Sequence, residues 1–455
     1  MKRKWVNKDV TVLGLSKSGI SAAKYLASKG ANCTISEMRE QTPQDDAQIV
    51  ELNSLGIEVE MGGHSEEVIK NSYLIVRSPG IPPRASVFAL IKEHNIDMIS
   101  EIELAYLESL SPFIAITGTN GKTTTTKLVS EILTAAGYEA PPCGNIGVPP
   151  TSLLDKKIDY FVAEVSSFQI DTSKNFKPQI ACYINYTPDH IDWHGNEEEY
   201  FKAKASLFKA AKAPTWAVLN ACDERIAALG QNTTSVVYYF GREYTNAPCV
   251  FQRDNKIVYK QNGVCQDVVD LSQIKLFGDH NYQNIMAAVA IAKVIGIDNS
   301  VLSSVISDFT PPEHRIEYVA TIDGIKFYND SKATNCDSTI CALKAFKDEK
   351  IVLIAGGKDK GTDLSEFVQE VKAHAASVVL IGQATERFNE ALVTGGHQNI
   401  HLASSLEEAI DKSFDLKQGP VLLSPACASF DMFKNYEVRG QVFKDYVKEK
   451  QTGKA

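Results

Sequence analysis

The stretch GTNGKT, residues 118–123, sets two glycines, a lysine and a threonine directly after the apolar run FIAIT. The backbone N–H groups of such a turn, followed by a helix N-terminus, make a cradle for phosphate oxygens. Lys122 is placed to reach the β- and γ-oxygens, and the Thr123 hydroxyl suits Mg2+. The loop is shorter than the usual G-x-x-x-x-G-K-[ST], because Ile116 stands where the first glycine belongs and Gly118 is the nearest one. Two other stretches add donors. Glu164 ends the apolar part of YFVAEV, and NYTPDHIDWHG carries Asp189, His190, Asp192 and His194. No cysteine or third histidine completes a zinc set there. A hard cation is the better match: Glu164, the Thr123 hydroxyl, phosphate oxygens and one imidazole, from His190, suit Mg2+.

Positioning these groups requires strands that end where the chemistry starts. FIAIT, YFVAEV, IACYINY and TWAVLN read as buried strands, and an amphipathic helix runs from Lys122 until Gly137 stops it. The N-terminal part alternates in the same way. DVTVLGLS runs into a glycine turn, SGISAAKYLASKG is a helix closed by Gly30, and NCTISE and SYLIVRSPGIP are later strands. KFYND, KIVLIAGG, SVVLIG and PVLLSPA repeat the pattern near the C-terminus. Strands alternating with helices predict parallel, doubly wound sheets with ligands outside the carboxyl ends of the strands. Gly14, Ser16 and Gly19 after the first strand resemble a dinucleotide fingerprint without its G-x-G.

A chain of 455 residues exceeds one core, and at roughly 100–200 residues per domain it predicts three. The two prolines of DFTPPEHRIE mark the boundary before the last, giving 1–109, 110–311 and 312–455. A net charge of −9 without a basic block argues against nucleic-acid binding. No apolar run approaches the ~18 residues of a membrane span, and no signal peptide is read. Nine scattered cysteines without a C-x-x-C pair fit reduced thiols, so a cytoplasmic protein is expected.

Together GTNGKT, AEVSSFQ, NYTPDHIDWHG, GDHNYQN, EHRIE, NDSKATN, GGKDKG and SPACASFDMFKNYEVRG resemble, in order, the signatures of the ATP-dependent Mur ligase family. The resemblance runs from about residue 10 to 440 and makes the short loop a phosphate cradle. It implies three α/β domains: a Rossmann-like UDP-binding domain, a central P-loop ATPase-like domain with a mostly parallel sheet, and a Rossmann-like C-terminal domain that binds the amino acid. The implied reaction joins D-glutamate to UDP-N-acetylmuramoyl-L-alanine in peptidoglycan precursor synthesis. ATP is a substrate, and two Mg2+ sites, an acyl phosphate and a monomeric enzyme are expected.

The resemblance also assigns residues. Gly118, Thr119, Asn120, Gly121, Lys122, Thr123 and Thr124 would hold phosphates. Asn281 and Asn284 resemble the adenine-side contacts, while Arg315, Asp330 and Lys332 would close over the nucleotide. Thr123 and Glu164 would take the first Mg2+ and His190 the second. Lys204 matches a lysine that carries a carbamate in these ligases; Lys202, two residues away, faces elsewhere on the helix. Leu15, Ser16, Glu37, Arg39, Ser78, Pro79 and Gly80 match the UDP side, and Asn145 the muramoyl side. Thr334, Lys360, Ser429 and Tyr436 match D-glutamate contacts, Tyr436 replacing a familiar phenylalanine. A sister ligase or folylpolyglutamate synthetase is the close rival, with DSKATN and SPACASFD favouring D-glutamate. A non-catalytic UDP-sugar or NAD(H) binder is the rival from another class.

Overall fold

The computed structural model describes residues 5–453 except Pro83, Ala210, Ala211, Phe277, Pro311, Pro312, Lys347, Asp348 and Lys360. It contains three sheets. The first holds β1 (Asp9–Leu13), β2 (Asn32–Glu37), β3 (Ile57–Met61), β4 (Leu74–Arg77) and β5 (Met98–Ser100) in the order 3-2-1-4-5. All its pairings are parallel. A parallel strand covered on both faces reads as an apolar run, as β4 does with Leu74, Ile75 and Val76. In β4, Leu74 and Val76 join the core of Val10, Val12, Ile35 and Leu52, whereas Ile75 joins Leu13, Ile69, Val87 and Ile91 on the opposite face.

The second sheet holds β6 (Phe113–Thr117), β7 (Pro142–Gly144), β8 (Phe161–Glu164), β9 (Ile180–Tyr183), β10 (Trp216–Asn220) and β11 (Val236–Gly241), with β12 (Cys249–Arg253), β13 (Lys256–Gln261) and β14 (Val264–Asp270). Its order is 14-13-12-11-10-9-6-8-7. Strands 6 to 12 pair in parallel, and 12, 13 and 14 form an antiparallel edge. That edge was not read from sequence. Its hairpins turn on Asp254-Asn255 and Asn262-Gly263, all four residues having φ between 50° and 78°. An Asn-Gly pair is the strongest short-range hairpin signal, so the information for the second hairpin was present.

The third sheet holds β15 (Glu317–Ile322), β16 (Ile325–Asn329), β17 (Ile351–Gly356), β18 (Ala375–Ile381), β19 (Ile400–Leu402) and β20 (Val421–Leu423), in the order 15-16-20-17-18-19. Among the described residues of this sheet, only the β15–β16 pair is antiparallel. Contacts divide the chain into two compact units, Met1–Ile274 with Gln283–Asp308, and Lys275–Tyr282 with Phe309–Ala455. The nine cysteines are free thiols. Among the described residues, no helix is long and apolar enough to cross a membrane.

Within the first unit, the helix Glu101–Glu108 joins the first sheet to the second. Glu103 accepts from the Lys174 and Asn175 backbone N–H groups, at 2.8 and 2.6 Å. Glu101 accepts from the Thr151 N–H and hydroxyl, at 2.9 and 2.6 Å. Burial pushes its carboxyl up to about 7, against the opposing pull of those Thr151 bonds. A folded pKa above the unfolded one means the ionised form is disfavoured, so this contribution to stability is full below about 4.5 and falls as pH rises toward 7. Glu101→Gln is therefore expected to gain stability relative to wild type across that window, by up to about 3 kcal/mol. Urea unfolding of both proteins from pH 5 to 8 checks this; a pH-independent difference would contradict it.

Candidate active site

In the second sheet β6 lies between β8 and β9, so the strand order reverses beside it. Ligands of open α/β sheets bind at such a switch point. The loop after β6 is Gly118–Gly121, and the helix Lys122–Ala135 follows. Gly121, its N-cap, has φ 80°, and a Cβ there would lie 2.1 Å from Asn284 Oδ1. Only glycine satisfies both demands. Asn284, 3% exposed, thus sits against the loop from the helix Asp279–Ile295, which also carries Asn281.

Asn185, just beyond β9, accepts from the Thr119 and Asn120 N–H groups at 3.1 and 2.9 Å, and donates to the Asn120 carbonyl at 3.1 Å. The sequence reading missed this brace, although NYTPDH places an asparagine at a strand end. The Thr119 hydroxyl donates to the Thr187 carbonyl at 2.9 Å and accepts from Tyr200 at 3.3 Å.

Glu164 ends β8 and is 2% exposed. It accepts from the Thr123 hydroxyl and from Asn145 Nδ2, both at 2.8 Å. Asn145 follows β7, an edge strand that tolerates Pro142. Gly144, at φ 93°, lets the chain pass so close that a Cβ would lie 2.3 Å from the Glu164 carbonyl. Hydroxyl and carboxylate oxygens side by side fit a hard cation.

Lys122 donates to the carbonyls of Gly118 and Thr119 at 3.0 and 2.7 Å. Lys204, from the helix Glu197–Ala205, donates to the same Gly118 carbonyl at 2.9 Å and lies 4.8 Å from the Tyr200 ring centre. Its side chain is wholly buried, and desolvation followed by the Lys122 charge pushes its pKa well below the usual lysine range. His190, at φ 54°, starts the helix Ile191–His194, with Nε2 3.7 Å from Asp189 Oδ2.

In the first sheet, Glu37 accepts from the Leu15 N–H at 2.7 Å and the Arg39 N–H at 3.2 Å. The guanidinium of Arg39 donates twice to Asp45, at 2.7 and 2.6 Å, and holds that carboxyl well below the usual range. Ser16 and Ser78 meet hydroxyl to hydroxyl at 3.0 Å, joining the first and third turns. Pro79 and Gly80 follow Ser78 after β4.

In the second unit, Arg315 lies between His314 and Ile316, at φ 65° and 46°. A β-branched residue there is strained and needs fixing. The Ile316 N–H donates to Asp330 Oδ1 at 3.3 Å, and Asp330 also accepts from the Ser424 hydroxyl at 2.7 Å. The Thr334 N–H donates to the Lys332 carbonyl at 2.9 Å. Lys332 lies 5.3 Å from the Tyr436 ring centre, and the Tyr436 carbonyl accepts from Ser331 Oγ at 2.9 Å. Ser429 is 2% exposed. Lys360 lies outside the described residues.

Three family descriptions match the chain: a Mur ligase MurD-like N-terminal domain over residues 8–100, a Mur ligase middle domain over 116–292, and a Mur ligase glutamate ligase domain over 314–427. A UDP-N-acetylmuramoylalanine–D-glutamate ligase of Caldanaerobacter subterraneus is 39% identical over 446 residues, covering 97% of this chain and 98% of the relative. The ligase of the same name from Pelotomaculum thermopropionicum is 38% identical over 451 residues, covering 98% and 99%. Among solved structures, UDP-N-acetylmuramate-alanine ligase of Thermotoga maritima shares the fold at TM-score 0.62 and 18% identity, covering 97% of this chain and 99% of that one. Folylpolyglutamate synthase of Mycobacterium tuberculosis does so at 0.59 and 16%, covering 74% and 91%. With family matches in all three parts and relatives of this identity along nearly its whole length, the chain belongs to the Mur ligase family.

Proposed function

We propose that this ATP-dependent ligase adds D-glutamate to UDP-N-acetylmuramoyl-L-alanine. The carrying observation is the convergence of Lys122, Thr123, Glu164 and Lys204 around one phosphate loop. Relatives named for D-glutamate addition, at 39% identity, favour that amino acid over the folylpolyglutamate reading, which rests on a shared fold.

The substrate carboxylate attacks the γ-phosphorus of ATP, forming an acyl phosphate and releasing ADP. The amine of D-glutamate then attacks the acyl carbon, and phosphate departs. Phosphate leaves far more readily than a carboxylate oxygen, so one difficult step becomes two easier ones. The loop N–H groups and the Lys122 ammonium neutralise charge on the moving phosphoryl group. Thr123 and Glu164 would hold one Mg2+, and His190 with a carbamate on Lys204 a second; when bound, these ions would polarise phosphoryl oxygens. Asn145 fixes the Glu164 carboxylate by donating to its other oxygen. The turns at Leu15–Ser16, Glu37–Arg39 and Ser78–Gly80 are assigned to the UDP group. Arg315, Asp330 and Lys332 are assigned to the nucleotide, and Thr334, Lys360, Ser429 and Tyr436 to D-glutamate.

Phosphate release is expected only when ATP, Mg2+, UDP-N-acetylmuramoyl-L-alanine and D-glutamate are all present. A panel of D- and L-amino acids tests the assignment, and equal turnover with L-lysine or L-alanine would sink it.

A further inference from the structure

Arg77, the last residue of β4, is 6% exposed. The core of β4 is already made by Leu74, Ile75 and Val76, and a buried guanidinium is a costly way to add packing. One of its nitrogens, Nη2, donates to the Ile81 carbonyl, while Nε has no partner. Asp171, at the end of the helix Ser167–Asp171, supplies an opposing charge. The Arg77 carbon Cζ lies 4.5 Å from the Phe88 ring centre and 5.8 Å from that of Trp193, within the range of a cation over an aromatic face.

Trp193 is the structural link to the second sheet, because it stands in the short helix that His190 starts. Its ring centre is 4.2 Å from that of Phe168, which is also 4.8 Å from His190 and 5.6 Å from His194. His190 lies 6.0 Å from Tyr200, the residue that donates to Thr119 of the phosphate loop. A continuous series of rings thus runs from the turn after β4, assigned to the UDP group, to the phosphate loop. We propose that Arg77 is a positioning residue for His190, acting through Trp193 and Phe168 to align the metal-side imidazole from the UDP-side turn. His190 has φ 54°, which a histidine adopts only where its surroundings hold it.

This inference rests on the ligase reading above, and the test separates the two. Arg77→Met keeps the length and apolar contacts of the side chain but removes its charge. It is expected to lower kcat by about 10- to 100-fold, the scale of a small misplacement of a reacting group. The KM for UDP-N-acetylmuramoyl-L-alanine should stay within about threefold of wild type. Arg77→Lys, which retains a cation, should recover most of kcat. Trp193→Leu should lower kcat similarly, and the double variant should be no slower than the slower single one, because both break one series of contacts. A wild-type kcat in Arg77→Met, or losses that multiply in the double variant, would overturn the proposal. If Arg77→Met does not fold by circular dichroism, Arg77→Gln paired with Trp193→Phe is judged by the same two criteria. A wild-type protein inactive with all four reactants would overturn the ligase reading, and this proposal with it.

Discussion

Lys122→Ala is expected to lower the rate of ATP-dependent ligation at least about a thousandfold, or some 4 kcal/mol of transition-state stabilisation. The lysine lies at the helix start beside the loop, and its ammonium already spans the Gly118 and Thr119 carbonyls. Charge on the transferring phosphoryl group is spread over three oxygens in the transition state, and the loss of a cation there is felt mainly in kcat. The turns assigned to the UDP group belong to the first sheet, so calorimetric affinity for UDP-N-acetylmuramoyl-L-alanine should change little. A variant with near wild-type turnover would contradict the role of Lys122. A variant that loses turnover and UDP-substrate affinity together would show a wider structural failure.

The parallel strands were legible because burial on both faces writes them as apolar runs, and FIAIT, IVLIAG and LIVR are such runs. The helix ends were legible for a different reason: Gly30 and Gly137 have φ 87° and 91°, which other residues rarely adopt. Less was legible where a strand is half exposed. β14, VCQDVVD, buries few of its residues, so only its Asn-Gly turn announced it. In the candidate site, the 118–123 turn and Glu164, which the structure brings together through Thr123, stood out from local pattern. The roles of Asn185, Tyr200 and Arg77 did not, since each acts on a residue 65 or more positions distant or across two sheets. Spatial order, not local propensity, creates those contacts. The 3-2-1-4-5 and 9-6-8-7 orders bring them about, and nothing in a single run of residues specifies which strands become neighbours.

The same spatial order bears on Lys204, whose replacement by alanine is expected to abolish nearly all ligation. Two ammonium groups, those of Lys122 and Lys204, donate to the single carbonyl of Gly118, and Lys204 is 1% exposed. Burial first, and then repulsion by the Lys122 charge, disfavour the charged form, so the neutral amine of Lys204 is favoured. A neutral amine adds CO2: the nitrogen lone pair forms the N–C bond, one proton leaves, and a carbamate anion results. On Lys204 the product would turn a repelling pair into an attracting one and would place an anion on a long arm beside the residues proposed for the metal. The surroundings suit it, with the Thr117 hydroxyl 3.5 Å from Nζ and the Tyr200 ring alongside. Short carboxylates such as acetate should partly restore Lys204→Ala by supplying the missing anion, and should do nothing for Lys122→Ala, which lacks a cation instead. Mass spectrometry of the native protein under CO2 should show an added 44 Da that Lys204→Ala lacks, 44 being roughly the mass of the CO2 gained in this addition. Full activity in Lys204→Ala would remove the carbamate from the mechanism. Loss of activity with no rescue by any small carboxylate would leave Lys204 acting as a buried hydrogen-bond donor to the Gly118 carbonyl, a role the amine alone can fill.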